Sequence, residues 1–198
     1  MADNTTLNTG SGGDVIGADD ISSVKYQRVK LIHGVDGTNY GDVATTNPLP
    51  IKQPLVFGSK TTITATLTSL GSGSARESTV IDNTSTKYRN ARIRIQTKGQ
   101  ASGTSYVDVY VYTALGDSTY TDAATGSDAA FTAANRFNSR YLGQVKCNAN
   151  TSAVQAELMM SDAFADCPDK WGLIFINNSG AALSATAGDH VIEYEGIY

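Results

Sequence analysis

An all-β fold, an antiparallel sandwich or barrel, is what the sequence predicts. Three observations carry that expectation. Short segments of alternating apolar and polar residues recur from Ser59 onward, separated by Gly, Asn, Asp and Ser clusters. Helical patterning is confined to two short stretches, 127–135 and 161–165. The composition agrees: 198 residues, 17% charged against roughly 25% in an average domain, and 19 glycines. A neutral, hydroxyl-rich surface suits strands and tight turns better than solvated helices.

The chain divides near Pro54. Residues 1–57 read as an extended N-terminal arm with a short hairpin, and 58–198 as the β-sandwich domain. Within the arm, residues 1–15 are polar and Gly-rich, with TGSGG at 9–13, and are expected to be flexible when alone. Residues 24–33, VKYQRVKLIH, are the first strand candidate. Asp36-Gly37 supplies a tight turn, and Pro48 and Pro50 impose an extended path that central strands do not tolerate.

Strand follows strand after that. In 61–68 Ile63, Ala65 and Leu67 alternate with threonines, and 76–83 is the next candidate. Residues 90–97 place Ile93 and Ile95 inward and Arg92 and Arg94 outward. Residues 105–115 put Val107, Val109 and Val111 on one face and Tyr106, Asp108, Tyr110 and Tyr112 on the other. Both faces are bulky, so this strand is expected to be covered on both sides. Segments 140–147 and 152–159 follow. The run 171–178, WGLIFINN, reads as a buried central strand with Trp171 as a core anchor. Residues 190–198 close the chain; Val191 and Tyr194 do not share a face, which leaves room for a bulge. The long loop 116–139 is where such a sandwich carries variable surface.

Several function classes are disfavoured. Net charge is −4, with 4 basic and 6 acidic residues up to Phe57 and 11 and 13 after it. Neither part is a basic module, so no nucleic-acid or membrane partner is expected. The longest apolar run is six residues, 171–176, too short to span a bilayer, and MADNTTLN lacks the features of a secretory signal. Cys147 and Cys167 make no disulfide framework and read as two partly buried thiols. The only histidines are His33 and His190, and no HExxH, CxxC, GxSxG, Walker or GxGxxG motif is present. No enzyme activity, cofactor or metal is assigned. Asp117, Asp122 and Asp128 have the chemistry for calcium, but their spacing departs from an EF-hand and a Gly-rich solvated turn explains them. Asp162, Asp166 and Asp169 read as solvated acids, as do Asp189, Glu193 and Glu195, which lack a partner base.

Partner binding is the better reading. The extended arm leaves backbone donors and acceptors unused locally, and strand addition to a neighbour's sheet edge would satisfy them. Tyr26, Arg28, Lys30, Pro48, Leu49 and Ile51 are the expected contacts. Ten of the sixteen aromatic residues are Tyr, a residue suited to interfaces. Tyr106, Tyr110 and Tyr112 are therefore added to the set, although a covering loop or a carbohydrate-stacking platform would explain them as well.

The segment 12–51, beginning GGDVIGADDISSVKYQRVKLIHGVDG and ending NPLPI, resembles N-terminal segments of structural proteins from tailed bacteriophages. The pieces 109–132 and 169–198 resemble the β-sandwich part of similar virion proteins. Together they cover about half of the chain. The resemblance implies a jelly-roll-like antiparallel β-sandwich in a capsid decoration (cement) protein, head fibre or tail-associated component. It implies a virion location after assembly in the host cytoplasm. It also implies a homo-oligomer, with a trimer favoured, bound to the major capsid protein or other virion proteins. It transfers no catalytic motif and does not separate head from tail; the alternative to decoration is a tail or fibre receptor-binding module, with carbohydrate stacking on those tyrosines.

Overall fold

A computed structural model of the chain describes residues 4–6, 15–21, 24–27, 55–100, 105–147 and 153–198. The chain forms two compact units, Met1–Pro54 and Leu55–Tyr198.

In the first unit three strands, β1 (Asn4–Thr6), β2 (Val15–Ile21) and β3 (Val24–Gln27), form an antiparallel sheet with β2 in the middle. Thr6 pairs with Val15, and Ile21 with Val24. Within the segment expected to be flexible when alone, Asn4–Thr6 is a strand paired to Val15, Ile16 and Gly17, and the rest of 1–14 lies outside the described residues. Nothing in VIGADDI marks β2 as a strand, because two aspartates and a glycine break its alternation; pairing on both sides makes it one. The turn at Asp36-Gly37 lies outside the described residues.

The second unit contains β4 (Thr61–Thr62), β5 (Ala75–Glu77), β6 (Ile81–Asp82), β7 (Asn90–Thr97), β8 (Ser105–Ala114), β9 (Ala129–Phe131), β10 (Arg140–Cys147), β11 (Val154–Met159), β12 (Lys170–Asn177) and β13 (Val191–Ile197). One sheet has the order β10-β8-β12-β5-β9, with β6 also on β12; the other has the order β11-β7-β13-β4. Every pairing is antiparallel. β5 and β6 run along β12 as one interrupted strand, with β9 added outside. The remaining strands then form two four-stranded sheets, β4-β13-β7-β11 and β5-β12-β8-β10. That connectivity is a jelly roll. The protein is an all-β sandwich, as the strand pattern predicts.

The interruption between β5 and β6 is satisfied by one side chain. Ser78 donates its N–H to the Leu173 carbonyl at 2.8 Å, and its Oγ accepts the Leu173 N–H at 2.9 Å. The Ser78 carbonyl accepts the Tyr112 hydroxyl at 2.7 Å. No polar group of this buried serine is left orphaned, as burial demands.

Between the sheets lie Ile93 and Ile95 of β7, Val107, Val109 and Val111 of β8, Trp171, Leu173 and Phe175 of β12, and Ile192 of β13. Trp171 is fully buried, with its ring edge-to-face on Tyr194 at 5.4 Å. β13 pairs with β7 in unbroken register from Val191 to Ile197, so no bulge forms; Tyr194 points inward while Glu193 and Glu195 point outward. Residues 61–68 alternate in burial as expected, but paired strand covers only Thr61–Thr62, and Ile63 donates one further bond to the Ile192 carbonyl.

A second, smaller core lies on the outer face of the β8–β12 sheet. Tyr112, Ile174, Ile176 and Ala75 are buried there beneath residues of the 115–139 excursion, notably Ala124, Tyr120, Phe131 and Ala133. The helix-like pattern at 127–135 is in fact β9 followed by a 3₁₀ turn at Ala133–Asn135, because Ala129–Phe131 pairs with β5. β12 is therefore buried on both faces, which is why its sequence is continuously apolar. Gly172 faces Tyr112 across the β12–β8 ladder, and a Cβ there would occupy the space of the Tyr112 ring.

Gly172→Ala is expected to displace Tyr112 from its bond to Ser78 and cost about 1–3 kcal/mol by overpacking. Urea unfolding reads this directly; a midpoint equal to the parent's would mean the ring has room to move.

Candidate interaction surfaces

Of the contacts expected in the arm, Tyr26 falls in β3, opposite Asp19 of β2. Arg28, Lys30, Pro48, Leu49 and Ile51 lie outside the described residues.

The tyrosine face of β8 divides into a covered and an open half. Tyr112 is fully buried, edge-on to Tyr120 at 5.6 Å, and burial pushes its hydroxyl pKa well up. With the covering loop in place, Tyr112 offers no surface to a partner. Tyr106 and Tyr110 are half-buried. Tyr110 meets Tyr141 of β10 edge-to-face at 5.3 Å, and the Arg136 guanidinium lies 5.2 Å from the Tyr110 ring centre. Tyr141 is about half exposed; partial burial and then the neighbouring Asp108 raise its hydroxyl pKa. Asp108 accepts one bond from Asn178 at 2.8 Å, and its other oxygen is buried with no partner among the described atoms. Tyr141 and Arg136 were not legible as partners of Tyr110. The pairing Tyr141↔Tyr110 spans 31 residues of sequence and is created by the β8–β10 register.

The outer face of the second sheet is a lattice of opposite charges. Cross-strand register sets Arg94 opposite Glu193 on one side and Glu157 on the other, and Arg92 opposite Glu195. Glu193 is paired with Lys60 at 3.0 Å and with Arg94, and Arg92 pairs with Glu195 at 2.6 Å. Lys60, followed by Arg94, holds the Glu193 carboxyl below its usual range. Glu193 and Glu195, expected as strand-exposed acids without a partner base, are thus neutralised in place, and Glu193 is mostly covered. These residues line a shallow groove. Beside it, Phe57 lies under Arg92 at 5.4 Å, and exposed Leu55, Val56 and Tyr198 adjoin through the Tyr198 N–H to Val56 carbonyl bond. Exposed pairs of this kind each contribute little stability, so the lattice acts mainly to fix which strands lie side by side.

The carboxylates of the 115–139 excursion are consumed by protein donors. Asp122 accepts from the backbone and side chain of both Asn138 and Ser139 at 2.6–3.0 Å. Asp128 accepts from Arg76 Nε at 2.5 Å and from Thr66 N and Oγ1 at 2.9 and 2.6 Å. Asp117 accepts the Thr119 N–H at 3.0 Å. Among the described residues no three His, Cys, Asp or Glu side chains converge as metal ligands. Asp169 pairs with Lys87 at 3.1 Å on the surface, and Asp189 accepts from Ser184 Oγ at 2.6 Å. His190 bridges Thr97 Oγ1 and the Ser184 carbonyl, each at 2.9 Å, so both ring nitrogens are occupied in holding loops. Cys147 and Cys167 are free thiols, and burial pushes Cys167 up to about 12, far from a reactive thiolate. No helix among the described residues is long and apolar enough to cross a membrane.

Compared with protein-family models, with characterised proteins and with solved structures, the chain finds no match.

Burial raises the Asp128 pKa, but bonds from Arg76 and Thr66 and the Arg76 charge outweigh it and hold the carboxyl at about 2. A folded pKa below the unfolded value of about 3.9 stabilises above that value and is lost as pH falls through the folded one. Stability is therefore expected to drop between about pH 4 and pH 2, by on the order of 1–2 kcal/mol from this residue. Denaturant titrations across that window should show a shallower pH slope for Asp128→Asn; equal slopes would remove Asp128 as a source.

Proposed function

We propose that the chain is a non-enzymatic structural protein of a tailed-phage virion, a decoration or cement protein that binds the capsid shell through its N-terminal unit and its sandwich. The observation that carries this reading is the two-unit organisation, a small three-stranded sheet ahead of a jelly roll. The resemblance of 12–51 and of the sandwich segments to virion proteins points the same way. The pairing of acids with local donors supports a structural rather than catalytic use of them.

In this reading the sandwich sits over a junction between shell subunits, and the N-terminal unit reaches a neighbour and adds backbone hydrogen bonds at a sheet edge. Many copies, each weakly bound, resist internal pressure by multivalency. A trimer at local threefold positions suits such a junction. The major capsid protein is the partner. A second reading, a tail or fibre module that binds carbohydrate, draws on the half-exposed Tyr141 beside Tyr110. Arg136 over Tyr110 weakens it, because a sugar stacking there must compete with that cation.

Cryo-electron microscopy of particles with and without the protein is the deciding experiment. Density spread over the icosahedral shell is expected; density confined to the tail would replace the cement role with the fibre one. Deleting residues 1–53 should leave the circular-dichroism spectrum of a folded β-sandwich while abolishing shell binding. Binding at native affinity without those residues would refute the role given to the N-terminal unit. Glycan-array binding lost on Tyr141→Ala would favour the second reading.

A further inference from the structure

The 115–139 excursion leaves β8 at Ala114 and returns on the neighbouring strand β10 at Arg140, so both its ends lie on one edge of the sheet. Between them it crosses the outer face of β8, β12 and β5 and adds β9 at the far side. Its regular structure amounts to two 3₁₀ turns and a three-residue strand. The ladders beneath it, β8 on β12 and β12 on β5, are complete without it.

Backbone and side-chain bonds share the fastening: β9 pairs with β5, and the Val80 N–H donates to the Gly126 carbonyl at 3.0 Å. Asp122 ties the start of the excursion to its end through Asn138 and Ser139. Buried Glu77 of β5 grips the middle, accepting the Thr125 N–H at 2.9 Å and its hydroxyl at 2.6 Å. Asp128 fastens the far side to Arg76 and Thr66. Apolar cover comes only from Tyr120, Ala124, Phe131 and Ala133, while Leu115 and Phe137 stay exposed. The excursion also stores strain. Asp122 and Ala123 are consecutive non-glycine residues at φ of 58°, a left-handed conformation disfavoured for both. Strain of this kind persists only where surrounding bonds over-determine it.

We infer that residues 115–139 form a strap that lifts as one unit from the outer face of the jelly roll, exposing Tyr112, Ile174 and Ile176 while the two sheets stay folded. The geometry separates the two sets of interactions. Lifting breaks the Glu77 and Asp128 fastenings, the β5–β9 ladder and the Val80 N–H to Gly126 carbonyl bond, while the Asp122 bonds, internal to the strap, keep its two ends together. The Trp171–Phe175–Val109 core between the sheets is untouched, because those side chains point the other way. The strap thus acts as a cover whose opening changes the protein's surface from polar to apolar. This inference rests on the fold of the second unit alone and holds whether or not the protein coats a capsid.

Native-state hydrogen exchange on the full-length protein tests it. In the parent, amides of 119–138 should share one opening that costs less and depends less on denaturant than the opening of β7 and β13. Asp128→Asn isolates the fastening, since it keeps the size of the side chain but removes its charge and turns an N–H₂ toward the donors of Arg76 or Thr66. In this variant exchange should quicken about tenfold at 119–138 and stay unchanged in β7 and β13. A uniform increase across the sandwich, or none at 119–138, would overturn the strap.

Discussion

Strand β12 has apolar side chains on both faces, and both must be kept from water. One face, Trp171, Leu173 and Phe175, meets the opposite sheet in the usual way of a sandwich. The other, Ile174 and Ile176 with Tyr112 beside them, would face solvent in a bare jelly roll. At roughly 25 cal/mol per Å² of apolar surface, leaving two isoleucines and a tyrosine uncovered would cost several kcal/mol. That is a large share of the net stability of a domain this size. The chain meets the demand with the 115–139 excursion, and the placement of Tyr120, β9, Glu77, Asp122 and Asp128 follows from it.

The same constraint explains the distribution of polar side chains. Carboxylates that look like a ligand set along the sequence are the fastenings of a cover with little regular structure. Ser78 repairs the break between β5 and β6 and anchors Tyr112. Gly172 makes room for the Tyr112 ring. On the opposite sheet, which no loop among the described residues covers, the outer face is instead a lattice of Arg, Lys and Glu whose charges cancel between β7, β13 and Lys60 beside β4. One outer face is thus apolar and strapped, the other charged and open. Among the described residues, the large apolar side chains left exposed include Tyr141 and Phe137 near β10, and Leu55, Val56, Phe57 and Tyr198 beside β13.

Alternation made the β-sandwich legible. Period-two burial in 90–97 and 105–114 depends only on neighbouring residues, and β7 and β8 match the expected faces residue by residue. The continuous apolar run at 171–176 announced a strand buried on both sides for the same local reason. β2 was illegible because its strand character comes from partners on either side, and β9 because three alanine- and phenylalanine-containing positions carry no period of their own. Among the candidate contacts, Tyr112 shows the limit most clearly. Its face could be read from the sequence, but whether that face meets solvent, a partner or the chain's own loop could not.

By itself, then, the sequence determined the strand class and the inward and outward residues of the long strands. Those properties follow from short-range periodicity and composition. Tertiary structure alone decided which strands are neighbours, that Tyr141 meets Tyr110, that Glu193 is paired from two sides, and that the strap closes over Tyr112. Each of these joins residues tens of positions apart, and a side chain's local pattern holds no information about which distant segment the fold will bring against it.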